Sequence, residues 1–423
     1  MRSKKYILSL LAVYLIYMTH GIQAIVISQN LDQFAAQWGT DSAGVYAVIA
    51  YTGLAKFISV WVCGELSDKV GRKLIVLIGG VMYIAFFGLL LTTTSLMVAS
   101  VAAFLAGLAT SFFDGACYPV AQETWTSSPS TATILIKGVI SVSGLIYPML
   151  VVNLRASGAW KVGVILPLVM SILVVVVAII APYYYDSEEL SKRRAAGNAK
   201  SDKMDEDTKR GLARFKQKPP IFVPVGCAIY GFIAMAAMYS AQQLLTRFGL
   251  TVIGMDELKA ASLTSLYTGG SLAAVVIWGV LMAKLRWRTL KVLLIDLIGS
   301  IVAYALVCTV RAEIVVQFAA LAIGFFAAGG ALQCGVNLMQ EFHPGNKGRN
   351  LGIYYTFMGA ASYVLPVIQS TLTKQSSEGE AIVQSLMLNL GLTAVGAIFM
   401  IYLALNYKKW FGVSVMSPKG ADE

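Results

Sequence analysis

Gly64-Glu65-Leu66-Ser67-Asp68-Lys69-Val70-Gly71-Arg72-Lys73 is a charged stretch that joins two long apolar runs. Its two glycines permit a tight turn and a close approach of the flanking helices. The carboxylate of Asp68 can accept hydrogen bonds from the exposed amides at the amino-terminal end of a neighbouring helix. The stretch is therefore predicted to be a short loop between two apolar helices.

The composition around this loop is that of a membrane protein. Of 423 residues, 57% are hydrophobic and 13% are charged, whereas soluble domains carry about 25% charged residues. No nucleotide-binding phosphate loop, zinc spacing or nucleophile motif occurs, so we predict neither an enzyme nor a cofactor. The cysteines all lie inside apolar runs without metal-ligand or disulfide spacing; they are Cys63, Cys117, Cys227, Cys308 and Cys334.

Twelve apolar stretches have the length of about 20 residues that a membrane-spanning helix needs. Their continuous apolarity excludes the alternating pattern of a membrane barrel. We predict an all-α membrane protein of two pseudo-symmetric six-helix bundles, residues 1–182 and 221–410, with a solvated linker at 183–220 and a tail at 411–423. The predicted spans are 6–28, 43–63, 74–92, 96–122, 132–154, 162–182, 221–243, 259–282, 289–310, 313–340, 350–372 and 382–405.

The basic residues predict the orientation of these spans. Most Lys and Arg residues fall in the two termini, the linker and the loops on one side, which is the cytoplasmic side by the positive-inside rule. We therefore expect a multi-pass protein of the cell (inner) membrane with both termini in the cytoplasm. The net charge of +11 reflects this topology and not a nucleic-acid partner. The basic residues on the opposite side are Arg155, Lys161, Arg247, Lys259, Arg311 and Lys374.

Two sets of residues recur between the halves. Gly64, Leu66 and Lys69 recur 215 residues later, and Gln122, Glu123 and Pro148 recur 218 residues later. Internal repeats are common in transporters, whose substrate sites lie between the repeats near the middle of the bilayer. The second copies are Gly279, Leu281, Lys284, Gln340, Glu341 and Pro366.

Residues 64–73 resemble the signature loop of the major facilitator superfamily at every key position of that motif. The resemblance implies that Asp68 contacts the amino-terminal end of the eleventh helix and locks an inner gate, and that Arg72 pairs with Glu123. The second copy has Ala283 in place of the aspartate and Trp287 in place of the arginine, so we expect an asymmetric lock. The alternative is that these charges only set topology. The predicted gating residues are Gly64, Asp68, Gly71, Arg72, Lys73 and Glu123.

Asp114 in the fourth span is the strongest candidate for proton coupling. An ionisable group inside a span costs at least about 2.5–3.5 kcal/mol at the helix centre and so suggests a function. Asp114 and Lys137 lie equally far from the loop between the fourth and fifth spans, so we expect them at one depth as an ion pair. Protonation of Asp114 would then release Lys137 for substrate. The alternative is a static structural pair.

Two further ionisable residues lie inside predicted spans. Lys56 either joins the charges of Asp114 and Lys137 as a substrate-binding residue or extends harmlessly to the membrane surface. His20 in the first span is the second candidate for proton coupling, because an imidazole titrates near neutral pH. Its alternative role is that of a structural hydrogen-bonding group.

The resemblance implies that the first, fourth, seventh and tenth helices line the cavity. Amide and phenol groups on these helices can replace water around a hydroxylated solute, or they can simply bond neighbouring helices. The predicted substrate-binding residues are Gln23, Lys56, Lys137, Tyr239, Gln242, Gln333 and Asn337, and Gln243 lies beside them.

Asp114 precedes Pro119 in the fourth span, which is weakly similar to sugar–proton symporters of the fucose permease type. The first span departs from that group, since it has Thr19-His20-Gly21 where an aspartate is expected. We expect a monomeric transporter that takes up a hydroxylated organic acid or a sugar with protons. Its partners are a small-molecule substrate, protons and the lipid bilayer. The alternatives are a drug–proton antiporter and a membrane sensor that has lost transport.

Overall fold

The computed structural model describes residues 4–125, 129–189, 191–192, 211–344 and 347–418. Every regular element in these ranges is a helix. The first six long helices are α1 (Ile7–Gln23), α2 (Ser42–Val70), α3 (Arg72–Thr92), α4 (Leu96–Thr124), α5 (Pro129–Ala156) and α6 (Val162–Ile180). The second six are α7 (Phe222–Phe248), α8 (Glu257–Lys284), α9 (Thr289–Thr309), α10a (Glu313–Ile323) with α10b (Ala331–Phe342), α11 (Lys347–Gln375) and α12 (Glu378–Phe411).

These helices form the predicted all-α membrane fold of twelve spans. Ten helices within the described ranges are long and apolar enough to cross a bilayer. The two other spans are the segmented tenth helix and α11, whose 29 residues extend over about 43 Å at 1.5 Å per residue. The apolar side chains of α6 indicate what surrounds the protein. One face of this helix is buried, and on the other face Val169, Ile172 and Ile179 are exposed. An exposed apolar face on a helix of this length fits lipid.

The chain divides into two compact units. The first unit comprises Met1–Ser201 with Gln369–Lys374, and the second comprises Asp202–Ile368 with Gln375–Glu423. In the first unit α4 packs closely along α2 and α3, and α1 packs along α5. In the second unit α9 and α7 pack along α12, while α8 packs along α10a. The extent of the predicted linker stays a prediction, because residues 190 and 193–210 lie outside the described ranges.

The first helix differs from the predicted span at 6–28. It ends at Gln23, a short turn follows at Val26–Gln29, and a further helix runs from Leu31 to Trp38. Asn30, at the junction, is fully buried and donates a side-chain hydrogen bond of 2.9 Å to the carbonyl oxygen of Val26. Because the amide of Asn30 has a partner inside the protein, this polar residue can lie in the interior although it follows directly on the predicted span.

The tenth span is not one continuous helix over 313–340. After α10a, the residues Gly324–Ala328 form a wider π-helical turn, and the helix is broken at Gly329 and Gly330 before α10b begins. A methyl group added at Gly324 would lie 1.8 Å from the carbonyl oxygen of Tyr267 on α8. The glycines therefore allow the backbone to pack directly on α8, and this packing replaces regular helical geometry.

Candidate functional site

A cluster of charges lies where α2, α3 and α4 meet at one end of the first unit. The guanidinium of Arg72 lies 2.6 Å from Asp68 and 3.2 Å from Glu123, and it donates a hydrogen bond of 2.9 Å to the hydroxyl of Ser67. The side chain of Arg72 is only 7% exposed. The Arg72–Glu123 ion pair that the family resemblance implied is therefore present, and it joins the start of α3 to the end of α4.

The predicted loop at 64–73 is wrong in extent, because α2 continues to Val70 and only Gly71 separates it from α3. The two glycines of this stretch have separate roles. Gly71 has φ +108°, a backbone conformation that favours glycine, and it makes the turn between α2 and α3. Gly64 was expected to allow close helix approach, but a methyl group there would meet no described atom within 4 Å. The close contacts of α4 with α2 lie at Gly107 and Gly115 instead, where an added methyl group would lie 2.2 Å and 2.8 Å from the backbone of α2.

The beginning of the predicted linker is part of this cluster and is not fully solvated. Tyr185 is buried, its hydroxyl donates a hydrogen bond of 2.7 Å to the carbonyl oxygen of Asp68, and its ring lies 4.3 Å from the guanidinium of Arg72. The ammonium of Lys73 donates a hydrogen bond of 2.6 Å to the carbonyl oxygen of Ile179 at the end of α6. A cation at a helix carboxyl terminus is favourable, so Lys73 fastens α6 to the loop.

The second unit has a related arrangement built from different residues. The hydroxyl of Tyr407 donates a hydrogen bond to the carboxylate of Glu341, and Arg288 donates one of 3.2 Å to the same hydroxyl. Trp287 occupies the arginine position of the repeat, but its neighbour Arg288 supplies the guanidinium. The predicted contact of Asp68 with the eleventh helix stays a prediction, since the side chains of residues 347–349 lie outside the described part.

Asp114 lies inside α4 and is half-buried. The hydroxyl of Tyr17 on α1 donates a hydrogen bond of 2.8 Å to its carboxylate. Lys56 on α2 is the cation that acts on this carboxylate electrostatically. The predicted ion pair with Lys137 is wrong for this structure: among the described side chains, no Lys nitrogen lies within 4.0 Å of Asp114.

The packing of the helices explains why Lys137 is not the partner. Equal distance from a hairpin loop fixes depth but not the direction in which a side chain points. α4 packs most closely on α2, which carries Lys56, whereas α5 packs on α1. Lys137 and Lys56 both act electrostatically on His20 of α1. Both lysines therefore act on His20, and of the two it is Lys56 that acts on Asp114.

His20 belongs to a buried hydrogen-bond network. Its Nδ1 lies 2.9 Å from the hydroxyl of Tyr83 on α3, which donates a hydrogen bond of 3.3 Å to Oε1 of Gln23. The hydroxyl of Thr110 lies 3.0 Å from that of Tyr83 and donates to the carbonyl oxygen of Ala106. The ring of His20 is thus joined through the hydroxyl of Tyr83 to both Gln23 and Thr110.

The predicted binding residues of the second unit are only partly described. Tyr239 and Gln242 on α7 are half-buried, Gln243 is buried, and Asn337 on α10b is exposed. Within the described ranges, the side chains of Tyr239, Gln242 and Asn337 make no hydrogen bond, and their role in binding stays a prediction. The side chain of Gln333 lies outside the described part.

The sequence-based prediction misses four residues of interest. Tyr17, Tyr83 and Thr110 carry no charge, and tyrosine is a common packing residue in membrane helices, so nothing in the sequence distinguishes them. Asp296 is different, because it is a carboxyl inside a predicted span and meets the criterion that selects Asp114. It lies on α9 and is completely buried.

Comparison with known proteins agrees with this architecture. Residues 9–366 match the Major Facilitator Superfamily. The chain is 30% identical to the inner membrane transport protein YdiM of Escherichia coli over 404 residues, which cover 94% of each chain. It is 29% identical to the inner membrane transport protein YdiN of the same organism, over 88% of this chain and 85% of YdiN.

Solved structures of transporters share the fold at low sequence identity. The nucleoside transporter NupG superposes with a TM-score of 0.69 and 12% identity over 94% of this chain and 99% of NupG. The peptide transporter POT superposes with a TM-score of 0.68 and 15% identity over 95% of each chain. The twelve helices, the signature loop and these matches agree, and the chain belongs to the Major Facilitator Superfamily of membrane transporters.

Proposed function

We propose that this transporter takes up a small organic anion, foremost a hydroxylated organic acid, together with protons across the cell membrane. A sugar is the second candidate solute. Both termini lie in the cytoplasm, as the distribution of Lys and Arg favours. The protein works as a monomer by alternating access. The relatives named as transport proteins support transport, and the choice of solute and coupling ion rests on the residues of the first unit.

The balance of charges inside the first unit carries this proposal. Lys56 and Lys137 bring two ammonium groups into the membrane-spanning region, and Asp114 brings one carboxylate. Arg72 is compensated separately by Asp68 and Glu123. Because an unbalanced charge in the membrane interior is costly, the excess positive charge favours an anionic solute. The same excess disfavours a cationic drug, and therefore the antiporter alternative.

Proton coupling in this proposal rests on the electrostatic attraction between Asp114 and Lys56. Protonation of Asp114 removes the negative charge that acts on Lys56, so the ammonium gains a greater attraction for a solute carboxylate. Release of the solute restores the attraction of Lys56 for ionised Asp114, which then loses its proton. One proton and one monovalent anion enter together, and that step moves no net charge. His20 is a second group on this path.

The remaining predicted residues supply recognition and gating in this proposal. Hydroxyl groups of the solute are bound by the predicted amide and phenol groups. The ion pair of Arg72 with Glu123 stabilises the inward-closed form by joining α3 to α4, and Lys73 holds α6 to the same end. The binding residues are Gln23, Lys137, Tyr239, Gln242, Gln333 and Asn337.

Uptake of labelled hydroxy acids and sugars into proteoliposomes tests the proposal. The native protein is compared with Asp114→Asn under an imposed proton gradient, and empty liposomes are the blank. We expect one hydroxy acid to accumulate only with the gradient, and the variant to exchange it without accumulating it. Unchanged accumulation by the variant would refute Asp114 as the proton site. Accumulation of an organic cation in exchange for protons would refute the anion symport itself.

A further inference from the structure

Asp296 occupies an unusual position in the second unit. It lies seven residues into α9, about 10 Å along the helix from Thr289. Its exposed fraction is 0%, and it sits among the buried apolar residues of this unit, including Leu293 and Leu297. Neither of its oxygens has a hydrogen-bond partner in the described part of the chain. A carboxylate in such a place is far costlier than a neutral acid.

The groups around Asp296 are polar but uncharged. The indole N–H of Trp278 on α8 lies beside the carboxyl but outside hydrogen-bonding geometry. The titratable groups that face it are the phenol of Tyr230 from α7 and the thiol of Cys334 from α10b. Among the described residues, α12, α10a and Gly324–Ala328 bring no charged side chain to the carboxyl. No cation in the described part of the chain therefore balances ionised Asp296.

Several buried polar atoms in this region lack a partner together. Besides both oxygens of Asp296, these are Nε1 of Trp278 and the hydroxyls of Tyr230 and Tyr354. Protein interiors leave few polar groups unsatisfied, so a group of them in one place is unusual. A proton on Asp296 removes its charge and turns the carboxyl into a hydrogen-bond donor. Asp296 and these polar neighbours thus resemble a proton-binding site within an otherwise apolar core.

The break in the tenth helix lies directly against this carboxyl. A methyl group added at Gly330 would lie 2.6 Å from Oδ2 of Asp296 and 2.7 Å from Cδ1 of Trp278. Gly330 directly precedes α10b and follows the wider turn at Gly324–Ala328. The backbone at this break therefore packs directly on the carboxyl of Asp296.

We propose that Asp296 is a second proton-binding site of this transporter, protonated while Gly330 packs on it and deprotonated when α10b moves away. On release the Oδ2–H bond breaks, the proton passes to water, and the carboxylate becomes hydrated. The role of this site in transport deepens the proposed proton coupling and rests on it. Proton binding itself does not depend on the identity of the solute.

Infrared spectroscopy of the purified protein in lipid nanodiscs tests proton binding without any solute. The native protein is compared with Asp296→Asn and with Asp114→Asn across a pH series. We expect a carboxylic-acid C=O band at neutral pH that disappears reversibly in alkaline buffer. Asp296→Asn should lose this component and Asp114→Asn should keep it. If Asp296→Asn shows the native carboxylic-acid absorption at every pH, Asp296 is not a proton site.

A conservative variant and a change of salt distinguish proton binding from misfolding and from metal binding. Asp296→Glu keeps a carboxylic acid, so it should retain a titrating band even if Asp296→Asn folds poorly, and loss of the band from a folded Asp296→Glu protein would contradict the proposal. Replacing potassium with sodium at constant pH should leave the native band unchanged. Loss of the band in sodium would assign the site to a metal cation instead.

Transport measurements then separate this inference from the proposed function. In proteoliposomes, Asp296→Asn should still exchange the solute but take up fewer protons per solute than the native protein. An unchanged proton-to-solute ratio would remove Asp296 from coupling. If no solute accumulates with a proton gradient in the native protein, the proposed symport is refuted. Proton binding by Asp296 is then still decided by the infrared measurement, which needs no solute.

Discussion

The hydroxyl of Tyr17 donates a hydrogen bond of 2.8 Å to Oδ1 of Asp114 and so links α1 to α4 within the first unit. The carboxylate also feels the ammonium of Lys56 on α2. Hydrogen bonds to an ionised group favour that form of the group. Three helices therefore converge on the charge state of one side chain, which makes that state sensitive to their relative positions.

Replacing Tyr17 with Phe should change the pH dependence of uptake. The variant loses the donor that stabilises ionised Asp114, so Asp114 should remain protonated at higher pH. A hydrogen bond to a charged group contributes about 1.5–3 kcal/mol, and one pH unit corresponds to about 1.4 kcal/mol. We expect the midpoint of the pH–uptake profile to move upward by about one to two units.

Tyr14→Phe is the matched control for this substitution. Tyr14 lies one turn earlier on α1, and its hydroxyl bonds to the carbonyl oxygen of Ala132 at 3.4 Å instead of to Asp114. Its pH profile should follow that of the native protein. Equal profiles for both Phe variants would mean that the Tyr17 hydrogen bond does not govern the proton step.

The cation that compensates Asp114 can be identified from stability alone. Lys56→Gln and Asp114→Asn each remove one of two opposite charges that attract each other inside the first unit, so each variant leaves the other charge without compensation. The double variant removes both charges and should melt at a higher temperature than either single variant. Lys137→Gln combined with Asp114→Asn should show no such recovery. Thermal unfolding in one detergent measures all of these variants, and recovery with Lys137 alone would reverse the assignment.

The structure shows which of these features a sequence can reveal. The twelve spans follow from apolar length, which is a local property of the chain. The Arg72–Glu123 pair joins residues 51 positions apart, and the family resemblance of the signature loop implied it. Which of Lys56 and Lys137 acts on Asp114 depends on the rotation of each helix about its axis. The length of an apolar span gives no information on that rotation. Tyr17 and Tyr83 acquire their roles only through contacts between distant segments.

Two misplaced boundaries have the same cause. The predicted first span stops at residue 28, just before the polar Asn30, yet the side-chain amide of Asn30 donates a hydrogen bond to the carbonyl oxygen of Val26 inside the protein. The glycines between α10a and α10b lie in an apolar stretch whose sequence predicts one continuous helix. The contact of Gly324 with the backbone of α8 determines the backbone conformation there instead. Both cases depend on a partner that the local sequence does not identify.

The close packing of α4 on α2 should be intolerant of one added methyl group. In Gly107→Ala the new Cβ would lie 2.2 Å from the carbonyl oxygen of Thr52 and 2.7 Å from Cβ of Ala55, so the helices must separate. Overpacking of this kind costs about 1–3 kcal/mol. We expect a lower melting temperature and a lower yield of monodisperse protein.

Gly88→Ala on α3 controls for the change of residue type. A methyl group there would meet no atom within 4 Å in the described part of the chain. Alanine is the better helix former by about 0.5–1 kcal/mol, so this variant should be as stable as the native protein or slightly more stable. Equal destabilisation of both variants would show that helix separation is not the cause.

The charge cluster around Arg72 predicts unequal effects of removing its partners. Arg72→Gln removes contacts with Ser67, Asp68 and Glu123 at once and leaves the Glu123 carboxylate, which is 23% exposed, without its cation. Glu123→Gln leaves Arg72 paired with Asp68 at 2.6 Å. We expect a large fall in melting temperature for Arg72→Gln and a smaller one for Glu123→Gln.

The neighbouring pair of Glu65 and Lys69 provides the control for this comparison. Its nitrogen and oxygen lie 3.8 Å apart, and the side chains are 72% and 74% exposed. Exposed pairs contribute about 0–1 kcal/mol, so Glu65→Gln should melt as the native protein does. If Glu65→Gln and Arg72→Gln melt at the same temperature, the cluster does not fasten α3 to α4. If Arg72→Gln is destabilised but closes and opens at the native rate, measured as initial uptake, the cluster supports the fold and the gate must lie elsewhere.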